Sequence, residues 1–504
     1  MSFRAPLTLA LLAATRIACA ADPSPPTAAR LFSQHCQSCH GAERLGGMGP
    51  ALLPQNLERL KKSEALKVIR QGRPATQMPA FGNTLSDTDM ALLADYLYSP
   101  PATEPKWTDQ DIRASRVALR GAAKLPARPQ FKADPKNLFI VVEGGDHHAT
   151  LLDGDKLEPI HRFATRFALH GGPKFTPDGR FVYFASRDGW ISKFDIWNLK
   201  TVAEIRAGIN TRNVAVSSDG KWVLVGNYLP RTAVLLDADL NHRHTYPAGS
   251  GEAGLSRVSA VYDAAPRNSF IIALKDTPAV WELPYPAATR VPGVASIPIP
   301  RIIRLDDVLD DFFFDQPYRH MMGASRTGKA QVVDLDQGRK VADLEIAGMP
   351  HLGSGITWTW QGTPVLASAN LKDGTVSIID MQDWKTVKTI QTNGPGFFMR
   401  SHEKTPYAWI DSMMSPTMKD RLQIIDKQTL EIVAEVRPEP GKTLAHIEFT
   451  RDGRFALASL WETDGAIIVF DASTFQEVKR LPMSKPVGKY NVFNKTTRSA
   501  GTSH

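Results

Sequence analysis

Cysteine is scarce in this chain of 504 residues, which has only three, at positions 19, 36 and 39. The first lies in MSFRAPLTLALLAATRIACA, where a basic residue, a short apolar run and Ala18-Cys19-Ala20 form the pattern of a cleavable secretory signal. We therefore predict that residues 1–20 are a signal peptide and that the mature protein is periplasmic. The exported chain keeps only Cys36 and Cys39, which leaves at most one disulfide in an oxidising compartment.

Long hydrophobic runs are missing as well. The apolar run from Leu7 to Ala14 is too short to span a bilayer as a permanent helix, so we predict no transmembrane segment. A lipid anchor on Cys19 is disfavoured because Arg16 interrupts the apolar stretch before it.

Blocks of like charge are also missing. The 60 Lys and Arg residues and the 52 Asp and Glu residues are interspersed, with a net charge of +8, or 58 − 52 = +6 once residues 1–20 and their two arginines are removed. This distribution argues against nucleic acid as a partner. The modest positive charge favours an acidic electron acceptor.

The sequence CQSCH at residues 36–40 indicates what the two remaining cysteines do. CxxC alone would fit a disulfide, a redox pair or a metal site, whereas CxxCH is the attachment motif of a c-type haem. Cys36 and Cys39 would bond covalently to the haem vinyl groups, and His40 would give the iron an axial nitrogen.

The second axial ligand is sought among the methionines, because a thioether raises the potential of an electron-transfer haem. Met48 follows His40 by eight residues, in a Gly-rich turn expected on the His40 side of the haem. Met78, in QMPAFG, lies between two helix-like stretches and is our candidate, with core packing as the alternative.

The order of these motifs, CxxCH, GPxL at residues 49–52, MPxFG and a last helix that begins with a capping-box pattern at Ser86, resembles the small class I cytochromes c. The resemblance implies a small all-α domain, placed at residues 21–98. A Pro-rich segment at 99–115 is interpreted as a linker.

Helical periodicity is absent from residues 116–504, and a β-rich repeat takes its place. Each unit has a strand that ends in an acidic residue, then a turn and a second apolar strand, and the units are 42 to 52 residues long. Four short strands at this period are typical of a propeller blade, so we predict an all-β eight-bladed propeller with a funnel for a planar ligand. The repeated residues are Asp153, Asp195, Asp237, Glu282, Asp334, Asp380, Asp426 and Asp471. A second marker, in PDGRFVYF, SDGKWVLV and RDGRFALA, is interpreted as a hairpin turn leading into an inner strand.

The propeller carries many histidines, and FALHGG places His170 before two glycines that would let a flat ligand approach the backbone. The segment FALHGGPKFTPDGRFVYFASRDGWISKFDIW at 167–197 and the tail KPVGKYNVFN at 485–494 resemble the cytochrome cd1 nitrite reductase family. The resemblance implies a haem d1 macrocycle in the propeller, with His170 as its proximal iron ligand. It also implies a cofactor pocket lined by Arg187, Arg212, Tyr228 and Arg257, where arginine forks would suit the carboxylates of the macrocycle. The alternative for each arginine is a solvated surface charge.

The distal side separates two functions within this family. Nitrite reductases use a pair of distal histidines to hold and protonate nitrite, and the second of these resembles His351 in GMPHLGSG. Asp310, in RLDDVLDDFFFD, stands where the first is expected, and His320 follows ten residues later in a different register. One missing histidine argues against nitrite reduction.

The segments VVEGGDHHATLLDGDKLEPIHRF and RFALHGGPKFTPDGRFVYFASRDGW resemble a related group, the dihydro-haem d1 dehydrogenases. That resemblance implies oxidation of a propionate side chain to an acrylate, the last step of haem d1 biosynthesis, with electrons leaving through haem c. His446 and Tyr490 match the positions of its proton acceptors, and His351 lies on the distal side. A nitrite reductase and a non-catalytic haem d1 carrier remain as alternatives, and a transient complex with nitrite reductase or a redox acceptor is expected for the dehydrogenase.

The purified protein should give the pyridine haemochrome spectrum of a c-type haem. Met78→Ala should lower the haem potential and remove the thioether signature, because the iron loses its sulfur ligand. Met48→Ala is the matched control and should leave both unchanged, so the opposite result would exchange the two assignments.

Overall fold

The structure is a computed structural model that describes residues 27–47, 49–58, 60–73, 78–249, 254–287, 296–346, 348–498 and 500. The predicted signal peptide with Cys19, and Met48, lie outside the described residues. Within those ranges, no helix combines the length and the apolar character that crossing a membrane requires.

The N-terminal region is helical, as the motifs predicted. A capping box between Ser86 and Asp89 starts its last helix, whose Met90, Leu93 and Leu97 are buried against the other helices. The five helices are α1 (Ala28–His35), α2 (Gln37–His40), α3 (Pro54–Leu57), α4 (Lys62–Gln71) and α5 (Asp87–Tyr98).

The predicted linker is partly ordered into regular structure. It contains helix α6 (Asp109–Ala114), whose Ile112 is fully buried in an apolar cluster of the propeller. Trp107 Nε1 donates to the carbonyl of Arg206 at 2.9 Å. Strand β1 (Val117–Ala118) then pairs with the outer strand of a blade, so the chain is attached to the propeller from Trp107 onwards.

The rest of the chain forms eight antiparallel sheets, which confirms the eight-bladed propeller. The first four blades in chain order comprise β2 (Leu138–Glu143), β3 (His148–Asp153) and β4 (Glu158–Ala164); β5 (Lys174–Phe175), β6 (Phe181–Ala185), β7 (Trp190–Asp195) and β8 (Lys200–Arg206); β9 (Asn210–Val216), β10 (Trp222–Leu229), β11 (Thr232–Asp237) and β12 (His242–Pro247); and β13 (Val258–Ala264), β14 (Ser269–Leu274), β15 (Ala279–Pro284) and β16 (Arg301–Arg304).

The other four blades follow the same order, from the funnel outwards. They comprise β17 (Asp311–Phe314), β18 (His320–Ala324), β19 (Ala330–Asp334) and β20 (Arg339–Leu344); β21 (Ile356–Trp360), β22 (Thr363–Ala369), β23 (Thr375–Asp380) and β24 (Thr386–Gln391); β25 (Met399–Ser401), β26 (Tyr407–Asp411), β27 (Leu422–Asp426) and β28 (Glu431–Val436); and β29 (Leu444–Phe449), β30 (Phe455–Leu460), β31 (Gly465–Asp471) and β32 (Glu477–Met483).

The ring is closed by the end of the chain. Strand β33 (Pro486–Asn491) pairs antiparallel with β2 and becomes the inner strand of the first blade. A short helix, α7 (Val492–Thr497), follows it, a feature that the all-β prediction for residues 116–504 missed.

The repeated acidic residues lie in the third strand of each blade, and seven of the eight end it. Asp195 is fully buried and accepts hydrogen bonds from Arg180 Nη2 and from Asn198 Nδ2, both at 2.8 Å. The residue therefore fixes the turn that leads to the outer strand and ties it to the preceding hairpin. The second marker was placed wrongly: its Asp-Gly turns leave the innermost strand and lead into the second strand of the blade, as between β5 and β6.

The cytochrome domain lies on one face of the propeller. Asn56 Nδ2 donates to the carbonyl of Ile209 at 3.2 Å, and Asn210 Nδ2 donates to that of Gln55 at 3.1 Å. Ala51 and Leu53 form an apolar cluster with propeller side chains at the same place. These reciprocal contacts hold the domain over the loops that enter the inner strands.

Asp195→Ala should lower the free energy of unfolding by about 3 kcal/mol, because it leaves the Arg180 guanidinium partly buried without its carboxylate. Asp464→Ala removes the carboxylate of an exposed pair with Lys442 and should cost about 1 kcal/mol or less. Thermal or denaturant unfolding followed by circular dichroism compares the two, and equal losses would contradict the role given to Asp195.

Candidate functional site

His40, the predicted axial haem ligand, is held by a hydrogen bond and by packing on a glycine. Its Nδ1 donates to the carbonyl of Pro50 at 2.8 Å, and its ring packs directly on Gly49, where a Cβ would lie 2.7 Å from the ring. Burial lowers the pKa of His40, so the imidazole is neutral and its Nε2 is the nitrogen that can bind iron.

The two cysteines fit covalent attachment of a haem. Neither forms a disulfide in the described part of the chain, which removes that alternative. Burial raises the pKa of the Cys36 thiol to about 11, so it is neutral. Met78 is partly buried and packs against the same apolar cluster as Cys36 and Phe81.

His170 lies four residues before Lys174, where the innermost strand β5 of its blade begins. Its Nδ1–H donates to the carbonyl of Arg212 at 2.7 Å. The lone pair of the neutral ring is therefore on Nε2. Arg187 Nη2 and Arg212 Nη1 donate to Nε2 at 2.9 and 3.0 Å. The three predicted residues therefore meet at one point.

Tyr228 lies among cations beside this point. The guanidinium groups of Arg187 and Arg257 lie 5.9 and 5.5 Å from the centre of its ring, and Lys275 Nζ lies 5.6 Å from it. Arg257 also pairs with Asp276 at 2.7 Å and with Glu58 of the cytochrome domain at 3.3 Å. It is therefore a contact between the two domains as well as a member of the predicted pocket.

His351 stands at the entrance of another inner strand, β21. Its Nδ1 donates to the carbonyl of Phe397 at 2.8 Å, and burial lowers its pKa, so the ring is neutral. Across the funnel, Arg212 Nη2 lies 3.7 Å from a carboxylate oxygen of Asp311, whose other oxygen accepts from Tyr262 at 2.8 Å.

Asp310, which the resemblance sets where nitrite reductases have a distal histidine, forms ion pairs. Asp310 accepts from Lys275 and, at 3.1 Å, from Arg326. Burial opposes ionisation of this carboxyl, but the hydrogen bond and charge of Lys275 outweigh it and lower the pKa of Asp310. His320 lies on the second strand of its blade, and its ring pairs with Asp315 at 2.8 Å. It therefore does not replace the distal histidine.

His446 and Tyr490, the two predicted proton acceptors, are in contact. Their ring centroids are 5.1 Å apart and the rings are nearly perpendicular. The side chain of His446 is buried, and its Nε2 has no hydrogen-bond partner among the described residues. Burial, then the charges of Lys489, Arg400 and Lys495, hold the pKa of His446 well below its usual value, so the ring is a neutral acceptor.

Tyr490 differs from the predicted proton acceptor. Burial raises the pKa of its phenol to about 12, so at neutral pH the group is protonated and is suited to donating a hydrogen bond. It lines a cavity of about 310 Å³ together with Lys174 and Lys495.

Sequence reasoning missed the lysines and the arginine of the funnel. Burial lowers the pKa of Lys174 to about 8 and that of Lys495 to about 7, and Arg400 and Lys489 are also enclosed. The available signal was a charged residue inside a buried inner strand, as in MRS at 399–401 and GKYN at 488–491. A c-type cytochrome domain joined to a propeller with a cationic, histidine-lined funnel defines the class: a protein with one covalent haem and a second site for an anionic macrocycle.

Comparison with known proteins agrees with this class. A family model described as cytochrome D1 heme domain matches residues 133–495, and one described as cytochrome C oxidase, cbb3-type, subunit III matches residues 23–97. The chain is 56% identical over 476 residues to dihydro-heme d1 dehydrogenase of Pseudomonas aeruginosa, which covers 94% of this chain and 95% of the relative. It is 25% identical to nitrite reductase of Stutzerimonas stutzeri, with 92% of each chain covered.

A solved structure described as dihydro-heme d1 dehydrogenase NirN in complex with DHE superposes with a TM-score of 0.89. The match covers 92% of this chain and 99% of that chain at 56% identity. The chain belongs to the cytochrome D1 heme domain family and, within it, to the group of the dihydro-heme d1 dehydrogenases.

His170→Ala should weaken binding of the macrocycle by more than about tenfold, because the iron loses its proximal nitrogen. The c-type haem spectrum should stay unchanged. His161→Ala, on the outer strand β4, is the matched control, and titration of each variant with dihydro-haem d1 is followed by absorption. Spectra identical to those of the wild type would remove His170 from the site.

Proposed function

We propose that this protein is a dihydro-haem d1 dehydrogenase that oxidises a propionate side chain of its substrate to an acrylate. The observation that carries the proposal is the buried, neutral His446, whose unpartnered Nε2 lies beside the protonated Tyr490. A dehydrogenation of adjacent carbons needs such an acceptor in a dry site. The 56% identity to an enzyme of that name supports it.

Some funnel residues bind the macrocycle, and others take part in proton transfer. Arg187, Arg212 and Lys174 provide cations for the carboxylates of the macrocycle, and His170 binds its iron. His446 accepts a proton at Nε2. Tyr490 donates a hydrogen bond that orients the reacting side chain, and His351 faces the distal side of the site.

The reaction releases two electrons, and the cytochrome domain is their outlet. The haem c held by Cys36, Cys39, His40 and Met78 supplies one-electron transfer when bound. The segment from Arg206 to Arg212 contacts Leu45 at one end and His170 at the other, so it spans the distance between the two sites. Two equivalents of a one-electron acceptor would be consumed per product.

The alternatives have less support in the structure. A nitrite reductase needs a second distal proton donor, and Asp310 is an ion-paired carboxylate at that position. A carrier that only binds haem d1 needs neither the haem c ligands nor an acceptor at His446.

The proposal also includes location and partners. The signal-like residues 1–20 support export to the periplasm, and the protein would make transient contact with a nitrite reductase or a redox acceptor.

Incubation of the oxidised protein with dihydro-haem d1 should give haem d1, with reduction of haem c during turnover and little nitrite reductase activity. His446→Ala and Tyr490→Phe should still bind the substrate but convert it about 10²–10⁴-fold more slowly. Absorption spectroscopy measures both reactions, with His161→Ala as the control. Rapid nitrite turnover without conversion of dihydro-haem d1 would favour the reductase, and binding without either activity would favour the carrier.

A further inference from the structure

A lysine lies directly behind His446. Lys489, on the closing strand β33, is fully buried, and its Nζ donates to the backbone carbonyl of His446 and, at 2.9 Å, to Ser459 Oγ. The same Nζ is 3.5 Å from His446 Nδ1, the ring nitrogen opposite the unpartnered Nε2. The imidazole is therefore placed between the reacting side of the site and a buried amine.

The backbone at His446 depends on this lysine. His446 has a φ of 51°, in the left-handed region that costs a non-glycine residue energy, and the pairing of β29 with β30 shifts register between Ala445 and Ile447. Lys489 binds the carbonyl of the displaced residue. The strained bulge and the hydrogen bond together fix the backbone from which the imidazole of His446 projects.

A neutral amine satisfies all three contacts of Lys489 at once. An –NH₂ group has two N–H donors, for the His446 carbonyl and Ser459, and one lone pair that can accept from Nδ1–H. Burial holds the pKa of Lys489 well below its usual value, which favours this neutral form.

The charges around the two groups favour a proton on the lysine. Besides burial, the side chains of Lys489, Arg400 and Lys495 lower the pKa of His446, and Lys489 does so only when it carries a proton. The groups facing Lys489 include two carboxylates, Glu448 and Asp411, which raise its pKa, and Arg400, which lowers it. An imidazolium would therefore be poorly stabilised, whereas an ammonium on Lys489 has anionic neighbours.

On the basis of the proposed function, we propose that Lys489 is the second member of a proton relay and positions His446 for it. When the substrate carbon gives up its proton, the C–H bond breaks and an N–H bond forms at Nε2. The proton on Nδ1 then passes to the lone pair of Lys489 Nζ, which leaves a neutral imidazole of the other tautomer and an ammonium. The dehydrogenation releases two protons and two electrons: the relay takes the first proton, the proton of the adjacent carbon passes to solvent water as the C=C bond forms, and the two electrons leave one at a time through haem c, as in the proposed function.

The relay sets the direction of the pH dependence. Lys489 and His446 accept protons only when they are neutral, so the rate of conversion should rise with pH through the pKa of each group. Lys489→Arg keeps the donors to the carbonyl but is protonated at every accessible pH, so its rate should stay low throughout.

The test compares Lys489→Met and Lys489→Arg with Lys385→Met, a lysine whose side chain is 80% exposed. Single-turnover conversion of dihydro-haem d1 is measured from pH 6 to 9, together with its Kd and the haem c spectrum, which report binding and folding. Both Lys489 variants should bind the substrate within about threefold of the wild type and convert it about 10²-fold more slowly. The control should match the wild type.

A double variant separates the relay from a merely structural role. In the His446→Ala background, Lys489→Met should cost less than about threefold, because the residues act as one unit. The same 10²-fold loss in both backgrounds, or a wild-type rate in either Lys489 variant, would overturn the relay. If Lys489→Met does not fold, the pH profile of Lys489→Arg decides. A wild-type protein that does not convert dihydro-haem d1 would instead disprove the proposed function.

Discussion

The pairing of the last strand with the first blade is the interaction on which the site depends. Strand β33 hydrogen-bonds to β2, with Tyr490 opposite Ile140 and Lys489 opposite Val141, and so closes the ring of eight blades. Because successive strand residues point to opposite faces, this register sends Lys489 towards β29 and Tyr490 towards the cavity. A slip by one residue would exchange the two side chains.

The closed ring encloses cations and carboxylates together. The cations are Lys174, Arg212, Arg400, Lys489 and Lys495, and the carboxylates include Asp263, Asp311, Asp411 and Glu448. Enclosing charges costs energy that neighbouring ions repay only in part. This cost is reflected in the lowered pKa values of Lys174 and Lys495. It is reflected too in the guanidinium groups that donate to His170 rather than to a carboxylate. An anionic macrocycle would bring carboxylates to these cations.

Much of the fold followed from local patterns. CxxCH, MPxFG and the capping box identified the cytochrome domain. The spaced acidic residues indicated the eight blades because seven of them are aspartates that accept backbone hydrogen bonds in the turn after the third strand. The Asp-Gly turns were predicted to lead into an inner strand, but they lead into the second strand of the blade. A hairpin signal indicates a turn and does not say which two strands of the sheet it joins. Helix α7 and the order within the linker were missed because both are short and depend on packing against the propeller.

For the site, the sequence alone determined the chemical types: two thiols and a histidine at fixed spacing for a covalent haem, and histidines and arginines in repeats that resemble a known macrocycle-binding family. The pKa that makes Tyr490 a donor, the orphaned Nε2 of His446 and the lysine behind it were decided only by the tertiary structure. His446 and Lys489 are 43 residues apart and meet only because the ring closes. Burial and the charges of residues on several strands then set the pKa of each group. No local sequence pattern can predict these pKa values, because the residues that set them are far apart in the chain.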